Sequence, residues 1–484
     1  MTNALRSPPV SRPRRLLRVA ARVGVTVSLV AVATVVGFST SSDDGRTVEA
    51  AADGGGEYHA LTPTRILDTR DAALDVSPGG RKPFGDTPFD VPISGRAGLP
   101  DFKNVNSDCA DDNILAVAVN IVVVSPTKEG YLEAFGKGEN PSSPTSIVNF
   151  RAGQVVANTA ILRPGCDGEL SFRLNPGSGN ADVVIDVFGW FSSSAFGTPG
   201  GRLEPSGPGR IFDSRESAFG SKAFGAGESR ELVIRGAKTY DTAAEVVPNS
   251  PDVVGVLVNL TGVNANAGSA DTFVSLLPAA PAGAVETSNL NLKAGQIRSN
   301  MAIVPVSADG KIWVYNLAGN AHVIVDVMGY LVKNQDPTST RGRVIPLVAP
   351  FRAFDTREAA FGPAPLPPAN AEDWSFDDFV NDVKVGGTPV GPQIGLIGNL
   401  TAAGLGRQYS WAPTGSYVTA YPTPDGGGAG EPPTISNVGL FDGEVVPNLV
   451  LLRYGNGTEP NQVRFYNRAG WLDYVLDVSA VVLA

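Results

Sequence analysis

Histidine and cysteine are almost missing from this chain of 484 residues, which contains two of each. The histidines, His59 and His322, share no motif, so the sequence offers neither a hydrolytic triad nor a histidine-based metal site. The acidic cluster Asp108, Asp111 and Asp112 lacks the spacing of a calcium loop, and a weak surface calcium site is the one metal alternative left open. Pairs of carboxylates occur by chance in a chain with so many acidic residues, so they are no evidence for a glycosidase. We therefore expect no metal, no cofactor and no catalytic residues.

Sustained helical periodicity is missing as well. The chain has 56 glycines and 38 prolines, which separate short runs rich in valine, isoleucine and aromatic residues. This pattern is typical of turn-rich β structure rather than of disorder. The sequence therefore predicts an all-β protein.

Only the N-terminal region has a long apolar run. Several arginines, from Arg12 to Arg22, precede the apolar stretch from Val23 to Phe38, and small residues follow around Ala50. This order predicts a secretory signal over residues 1–50 with cleavage after Ala50. The distance from Phe38 to Ala50 is long, so an uncleaved N-terminal membrane anchor is the alternative. General secretory and twin-arginine export both stay open, because an arginine pair occurs at positions 14–15.

Positive charge is in short supply. The chain has 38 basic and 48 acidic residues, a net charge of -10, and removal of residues 1–50 brings it to -14. Such an acidic protein is a poor ligand for nucleic acid or an anionic membrane. We therefore expect no nucleic-acid partner, contact with a membrane only through the N-terminal segment, and an extracellular or cell-surface location.

One short motif occurs three times. It reads Arg65-Ile-Leu-Asp-Thr-Arg70, Arg210-Ile-Phe-Asp-Ser-Arg215 and Arg352-Ala-Phe-Asp-Thr-Arg357, and its Asp recurs after 145 and then 142 residues. Each copy opens a block that ends near a second shared motif, which begins at Asp186, Asp326 and Asp477. This repetition predicts three copies of one domain. The boundaries we assign are 58–191, 201–331 and 342–484.

Within each block, short strands alternate with turn signals. Apolar runs end in Asn120, Asn259 and Asn399, and a second asparagine lies five residues after a glycine, at 158, 300 and 448. We aligned a further asparagine at 149, 291 and 437, and one more at 175, 316 and 467. Six to ten strands in about 130 residues predict three tandem antiparallel β-sandwich domains, or small barrel-like ones. The links from Ser192 to Gly200 and from Val332 to Gly342 are typical of hinges.

The recurring charged residues lie in or beside apolar runs, where an unpaired charge is expensive. We interpret them as a structural polar network in which an Arg of the opening motif pairs with the closing Asp. The alternative is one sugar- or ligand-binding site per repeat, for which Trp190 and Tyr330 would supply the aromatic surface. The network comprises Arg65, Asp68, Arg70, Asp186, Arg210, Asp213, Arg215, Asp326, Arg352, Asp355, Arg357 and Asp477.

Both cysteines, Cys109 and Cys166, lie in the first repeat. An even number in an exported chain favours one disulfide, which would close a loop of roughly 57 residues and contribute about 2–4 kcal/mol. Two reduced thiols are the alternative. The other repeats have no cysteine, so the fold does not depend on this bond.

The repeats resemble a unit common in exported actinobacterial cell-surface proteins. That unit runs from an R-x-L-D-T-R-like start through V-N-x-T and Y-N-x-A-G to D-V-x-G-Y/W-F, and this chain matches it at 258–261, 466–470 and 326–330. The third repeat departs from it, with Ser479-Ala480 at the end and an acidic-aromatic insertion from Glu372 to Phe379. The resemblance implies a secreted or cell-surface protein and implies no particular activity.

These observations favour a non-catalytic extracellular repeat protein that serves adhesion, scaffolding or envelope structure. The alternative function is carbohydrate binding with one equivalent site per repeat. The partner would be a cell-envelope component, a glycan or another surface protein. The sequence leaves open whether the repeats form a rod or pack about a common axis.

Overall fold

The computed structural model describes most of the chain after residue 47. The described residues are 48–50, 54–74, 87–102, 113–139, 145–165, 167–175, 177–194, 196–264, 270–361, 364–404, 415–427, 431–441, 443–458 and 460–484. Almost all regular structure in them is antiparallel β-sheet, as the sequence predicts. The predicted signal segment before residue 48 and both cysteines lie outside the described residues.

Two residues before the first repeat form a short strand, β1 (Val48–Glu49). The first repeat then contains eight strands: β2 (Tyr58–Asp68), β3 (Phe89–Pro92), β4 (Ile114–Val124), β5 (Gly130–Gly136), β6 (Val148–Phe150), β7 (Val155–Leu162), β8 (Glu169–Leu174) and β9 (Asp182–Ser192).

The second repeat has the same eight elements, with a 3-10 turn at Ser217–Phe219. Its strands are β10 (Gly201–Asp213), β11 (Glu228–Val233), β12 (Val253–Val263), β13 (Thr272–Leu277), β14 (Leu290–Leu292), β15 (Ile297–Pro305), β16 (Lys311–Asn316) and β17 (His322–Lys333).

The third repeat adds one helix and two short strands to this plan. Its elements are β18 (Val344–Asp355), β19 (Asn370–Ser375), α1 (Asp377–Asp382), β20 (Val383–Val385), β21 (Thr388–Pro389), β22 (Gln393–Gly404), β23 (Ser416–Pro422), β24 (Val438–Leu440), β25 (Val445–Arg453), β26 (Gln462–Asn467) and β27 (Leu472–Leu483), with 3-10 turns at Ala359–Phe361 and Asp425–Gly427.

These bounds correct one sequence assignment. The segment from Glu372 to Phe379 is only partly an insertion, because β19 is the second strand of the repeat and corresponds to β3 and β11. Its edge-strand sequence differs among the copies, which hides the equivalence. The true addition in the third repeat is α1 with β20 and β21.

Each repeat is an eight-stranded sandwich with jelly-roll topology. In the first repeat, β2-β9-β4-β7 form one sheet, here called the inner sheet, and β3-β8-β5-β6 form the other, the outer sheet. Strands one, two, three and four of the repeat thus pair with strands eight, seven, six and five, as in a long hairpin wound into two sheets. The second and third repeats follow the same order. Of the two predicted alternatives, the structure is the sandwich.

The inner sheets are apolar on both faces. In β4, Val119 and Ile121 lie in the core of the first sandwich, whereas Ala116 and Ala118 lie in a second cluster shared by all three repeats. Every residue of β9 is buried. This double burial explains why these strands are continuous apolar runs rather than alternating ones.

The repeats pack around a common axis rather than as a rod. The sixth strands of the three repeats, β7, β15 and β25, contact one another pairwise. The shared apolar cluster, here called the axial core, combines residues such as Ile161, Met301 and Leu449 from these three strands. The structure thus settles an arrangement that the sequence left open.

The links between repeats are held in place by a buried ion pair. Arg202 donates from Nε to Glu57 at 2.8 Å, and its guanidinium also donates to the carbonyl oxygens of Ser339 and Arg341 in the second link. Glu57 accepts in addition from the backbone N–H of Gly200 in the first link. Both links were predicted as hinges, and these bonds show that they are fixed connections.

The strand β1 belongs to the third repeat, although it precedes the first. It pairs in parallel with β20, and Val48 and Ala50 are 6% and 3% exposed in the third sandwich core. Cleavage after Ala50, as predicted from the sequence, would remove this strand. Among the described residues no helix is long and apolar enough to cross a membrane.

A shared axial core makes the stability of each repeat depend on the other two. We expect the protein to unfold in one cooperative transition, because separation of the repeats would expose three apolar sheet faces together. Differential scanning calorimetry tests this, with a ratio of calorimetric to van't Hoff enthalpy near one as the expected result. Three resolved transitions would show independent domains.

Candidate functional site

Each opening motif and closing Asp form a set of charged hydrogen bonds, here called the clasp. In the second repeat, Arg210 donates from Nε to Asp326 Oδ1 at 2.7 Å and from Nη2 to Oδ2 at 3.2 Å. Its Nη1 also reaches Asp213 at 3.4 Å. Arg215 donates two more bonds to Asp213, at 2.9 and 2.6 Å. The predicted pairing of an opening Arg with the closing Asp is therefore present.

The other two clasps repeat this geometry. Arg65 bonds Asp186 at 2.9 and 3.3 Å, and Arg352 bonds Asp477 at 2.9 and 3.1 Å. The second arginine of each opening motif bonds the Asp of the same motif: Arg70 bonds Asp68, and Arg357 bonds Asp355.

A β-bulge explains the spacing of the opening motif. Residues three apart on a regular strand lie on opposite faces. The register between β10 and β17 shifts by one residue between Arg210 and Phe212, and equivalent shifts occur in the other two repeats. The extra residue lets Arg210 and Asp213 reach each other, so the motif encodes a bulge as well as two charges.

The two carboxylates of a clasp differ in their electrostatics. Complete burial raises the pKa of Asp326, and the charge and hydrogen bonds of Arg210 oppose that rise. Burial also acts to raise the pKa of Asp213, but hydrogen bonds from Arg215 and its charge outweigh it and hold the pKa below the ordinary value. Asp326 therefore depends on its arginine to offset a large desolvation cost.

Asparagines from the third and sixth strands form three hydrogen-bonded pairs that connect the three repeats in a cycle around the axis, here called the asparagine ring. Asn300 donates to Asn120 Oδ1 at 3.2 Å, Asn448 to Asn259 Oδ1 at 2.7 Å, and Asn158 to Asn399 Oδ1 at 3.0 Å. Every one of these bonds joins two different repeats. All six residues are at most 5% exposed.

The ring also binds backbone on both sides of each junction. Asn300 accepts from the Thr159 N–H at 3.0 Å and donates to its own repeat's Asn289 carbonyl at 2.6 Å. Asn120 donates to the Ser288 carbonyl at 2.9 Å. The same bonds recur at the other two junctions. A buried polar network satisfied in this way fixes the order and register of the repeats.

One predicted alignment was wrong. Asn437 does not correspond to Asn149 and Asn291, because its carbonyl accepts from Asn448 as that of Asn289 does from Asn300. The corresponding residue of the first repeat is Ile147, whose carbonyl binds Asn158. The backbone carbonyl, and not the side chain, makes this hydrogen bond, so the residue type at the position can vary.

The hairpin asparagines have a local role. Asn316 donates to the backbone of its own turn and of the strand-two region, and Asn467 does the same in the third repeat. Trp190 is buried and stacks on His59 with centroids 4.4 Å apart, so it is core and not a binding platform. Tyr330, in contrast, is only partly buried and lines a groove.

Two grooves lie at junctions between repeats. One, of about 670 Å³, is lined by all three repeats and includes Tyr131, Arg151 and the ion pair of Arg298 with Glu444. The other, of about 870 Å³, lies between the second and third repeats and includes Tyr330 and Arg453. Among the described residues, no group of three or more histidine, cysteine or acidic side chains is placed to hold a metal ion.

Sequence reasoning missed the inter-repeat bonds of the ring and both grooves. A usable signal was present: Asn120 and Asn259 end runs that are apolar at nearly every position, and such runs indicate strands with two buried faces.

No protein-family model matches the chain, and no curated protein is significantly similar to it. Some solved structures share distant similarity. A tandem CBM22-1-CBM22-2 domain from Paenibacillus barcinonensis Xyn10C is 11% identical, with a TM-score of 0.16, over 58% of this chain and 99% of that one. A Sulfolobus Turreted Icosahedral Virus structure is 10% identical, with a TM-score of 0.16, over 87% of this chain and 92% of that one.

Loss of a clasp carboxylate should be expensive. We expect Asp326→Ala to lower the free energy of unfolding by about 3–5 kcal/mol, because Arg210 would stay buried without its partner. The matched control is Glu231→Ala, which removes an exposed ion pair with Lys311 in the same repeat and should cost at most about 1 kcal/mol. Chemical denaturation measures both. Equal midpoints for the two variants would show that the clasp contributes no stability.

The asparagine ring predicts a second large effect. Asn300→Ala would leave the Thr159 N–H, Asn120 Oδ1 and the Asn289 carbonyl each short of a partner, a cost of about 3 kcal/mol or more. Asn291→Ala, two positions after Asn289 and only partly buried, is the control and should be nearly neutral. Denaturant midpoints report the difference. A midpoint for Asn300→Ala equal to that of the control would contradict the proposed importance of the ring.

Proposed function

We propose that this is a non-catalytic extracellular protein that presents a rigid three-domain body at the cell surface for adhesion, scaffolding or envelope structure. The observation that carries the proposal is how the recurring polar residues are used. In all three repeats, the opening arginine and the closing carboxylate bond each other and are at least partly buried. Side chains that are paired in this way stabilise the fold and are not free to take part in catalysis.

The compact arrangement supports the same role. Fixed links, a shared core and a closed ring give a particle whose outer sheets face away from the axis. A rigid particle loses little conformational entropy when it binds, which favours use as a structural or adhesive module.

Carbohydrate binding with one equivalent site in each repeat is the second candidate. The clasp would have formed that site, but the charges of its arginines and carboxylates are paired with one another. We therefore place a glycan-binding site on other residues.

Export and surface display are tested together on intact cells of the producing organism. We expect brief protease treatment of intact cells to degrade the protein, and an antibody to label it without permeabilisation. A cytoplasmic protein of known location serves as the control and should stay intact and unlabelled. Recovery of the protein only after lysis would refute the proposal.

A further inference from the structure

The groove between the second and third repeats has a sequence-specific origin. In each repeat the first strand bulges away from its partner before the clasp arginine, and in β10 the bulge consists of Ser206, Gly207 and Pro208. A Cβ atom on Gly207 would have only one neighbour, Nη1 of Arg453 at 4.0 Å. The space in front of the bulge is therefore open.

The corresponding junction between the third and first repeats is nearly closed. There the bulge of β18 is one residue longer, Leu347 is 3% exposed in the sandwich core, and Pro350 borders a cavity of about 20 Å³. The groove of about 870 Å³ between the second and third repeats thus has no counterpart of that size at the junction of the third and first repeats. Its size is in the range of small-molecule sites.

One arginine that lines the groove, Arg453, has no hydrogen-bond or ion-pair partner among the described residues. Arg210 is paired with Asp326 and Arg341 with Glu204, whereas the partly buried Arg453 has no hydrogen bond or ion pair within the described part of the chain. Asp241 and Glu245 are exposed and lie at the edge. A planar guanidinium without a partner is suited to a carboxylate or phosphate.

The groove also has hydrogen-bonding capacity. Thr242, Thr434 and Asn456 line it and are exposed. Their hydroxyl and amide groups can donate and accept, so they can bond the hydroxyls of a sugar. The partly buried ring of Tyr330 adds an aromatic surface.

We propose that this groove binds an acidic oligosaccharide, with its carboxylate or phosphate on Arg453 and its hydroxyls on the neighbouring polar groups. The proposed site uses residues of one junction, so it differs from the alternative of one equivalent site per repeat. The proposal adds a ligand to the surface role described above, and its test uses purified protein and does not depend on location.

The test is binding of the full chain to an array that holds uronic-acid-containing, phosphorylated and neutral oligosaccharides. We expect binding to acidic members, and the two acidic classes distinguish a carboxylate from a phosphate ligand. Gly207→Trp should fill the groove, and Arg453→Ala should remove the cation, each reducing binding by about tenfold or more.

Matched controls are Gly197→Trp and Arg468→Ala, which place the same changes at exposed positions outside the groove and should bind as wild type does. Melting temperatures show whether the variants fold, and Arg453→Ala alone decides if Gly207→Trp is unstable. The proposal is wrong if no acidic glycan binds, if neutral glycans bind equally well, or if the Arg453→Ala variant keeps full affinity.

Discussion

The arrangement of the whole molecule depends on the burial of each inner sheet on both faces. One face closes a sandwich, and the other has to be covered by the inner sheets of the other two repeats. A repeat by itself would expose that second face to water, at a cost that scales with its apolar area. The three repeats are consequently parts of one folding unit, although each has a complete jelly-roll topology.

Apolar contact alone would not specify how three similar sheets meet, because hydrophobic attraction has no direction. The asparagine ring supplies the direction, and it is connected to the clasp. At the junction of the second and third repeats, Arg210 bonds both oxygens of Asp326, and Oδ2 also accepts from the Ser436 N–H. The Ser436 carbonyl in turn accepts from Asn259. The same carboxylate therefore closes one domain and orients its neighbour.

The predictable part of this structure is local. The alternation of apolar runs with turn signals indicates strands, and a charge within an apolar run indicates an ion pair, so the sandwich class and the pairing of Arg210 with Asp326 follow from the sequence. Contacts between repeats do not follow in this way, because they pair residues such as Asn158 and Asn399 that are 241 positions apart. A contact made by a backbone carbonyl, as at Ile147, leaves no signature in the sequence, because any residue type can supply it.

Three repeats within one chain can have different residues at equivalent positions, whereas three identical chains cannot. The equivalent positions at the axis are occupied by Thr159, Met301 and Leu449, and Thr159 donates its hydroxyl proton to the Met301 carbonyl at 2.6 Å. An identical trimer would place one residue type at all three positions. The same freedom accounts for the groove, since a Ser-Gly-Pro bulge occurs in one repeat only. Fusion into a single chain therefore preserves the shared network while it allows the residues at one junction to differ from those at another.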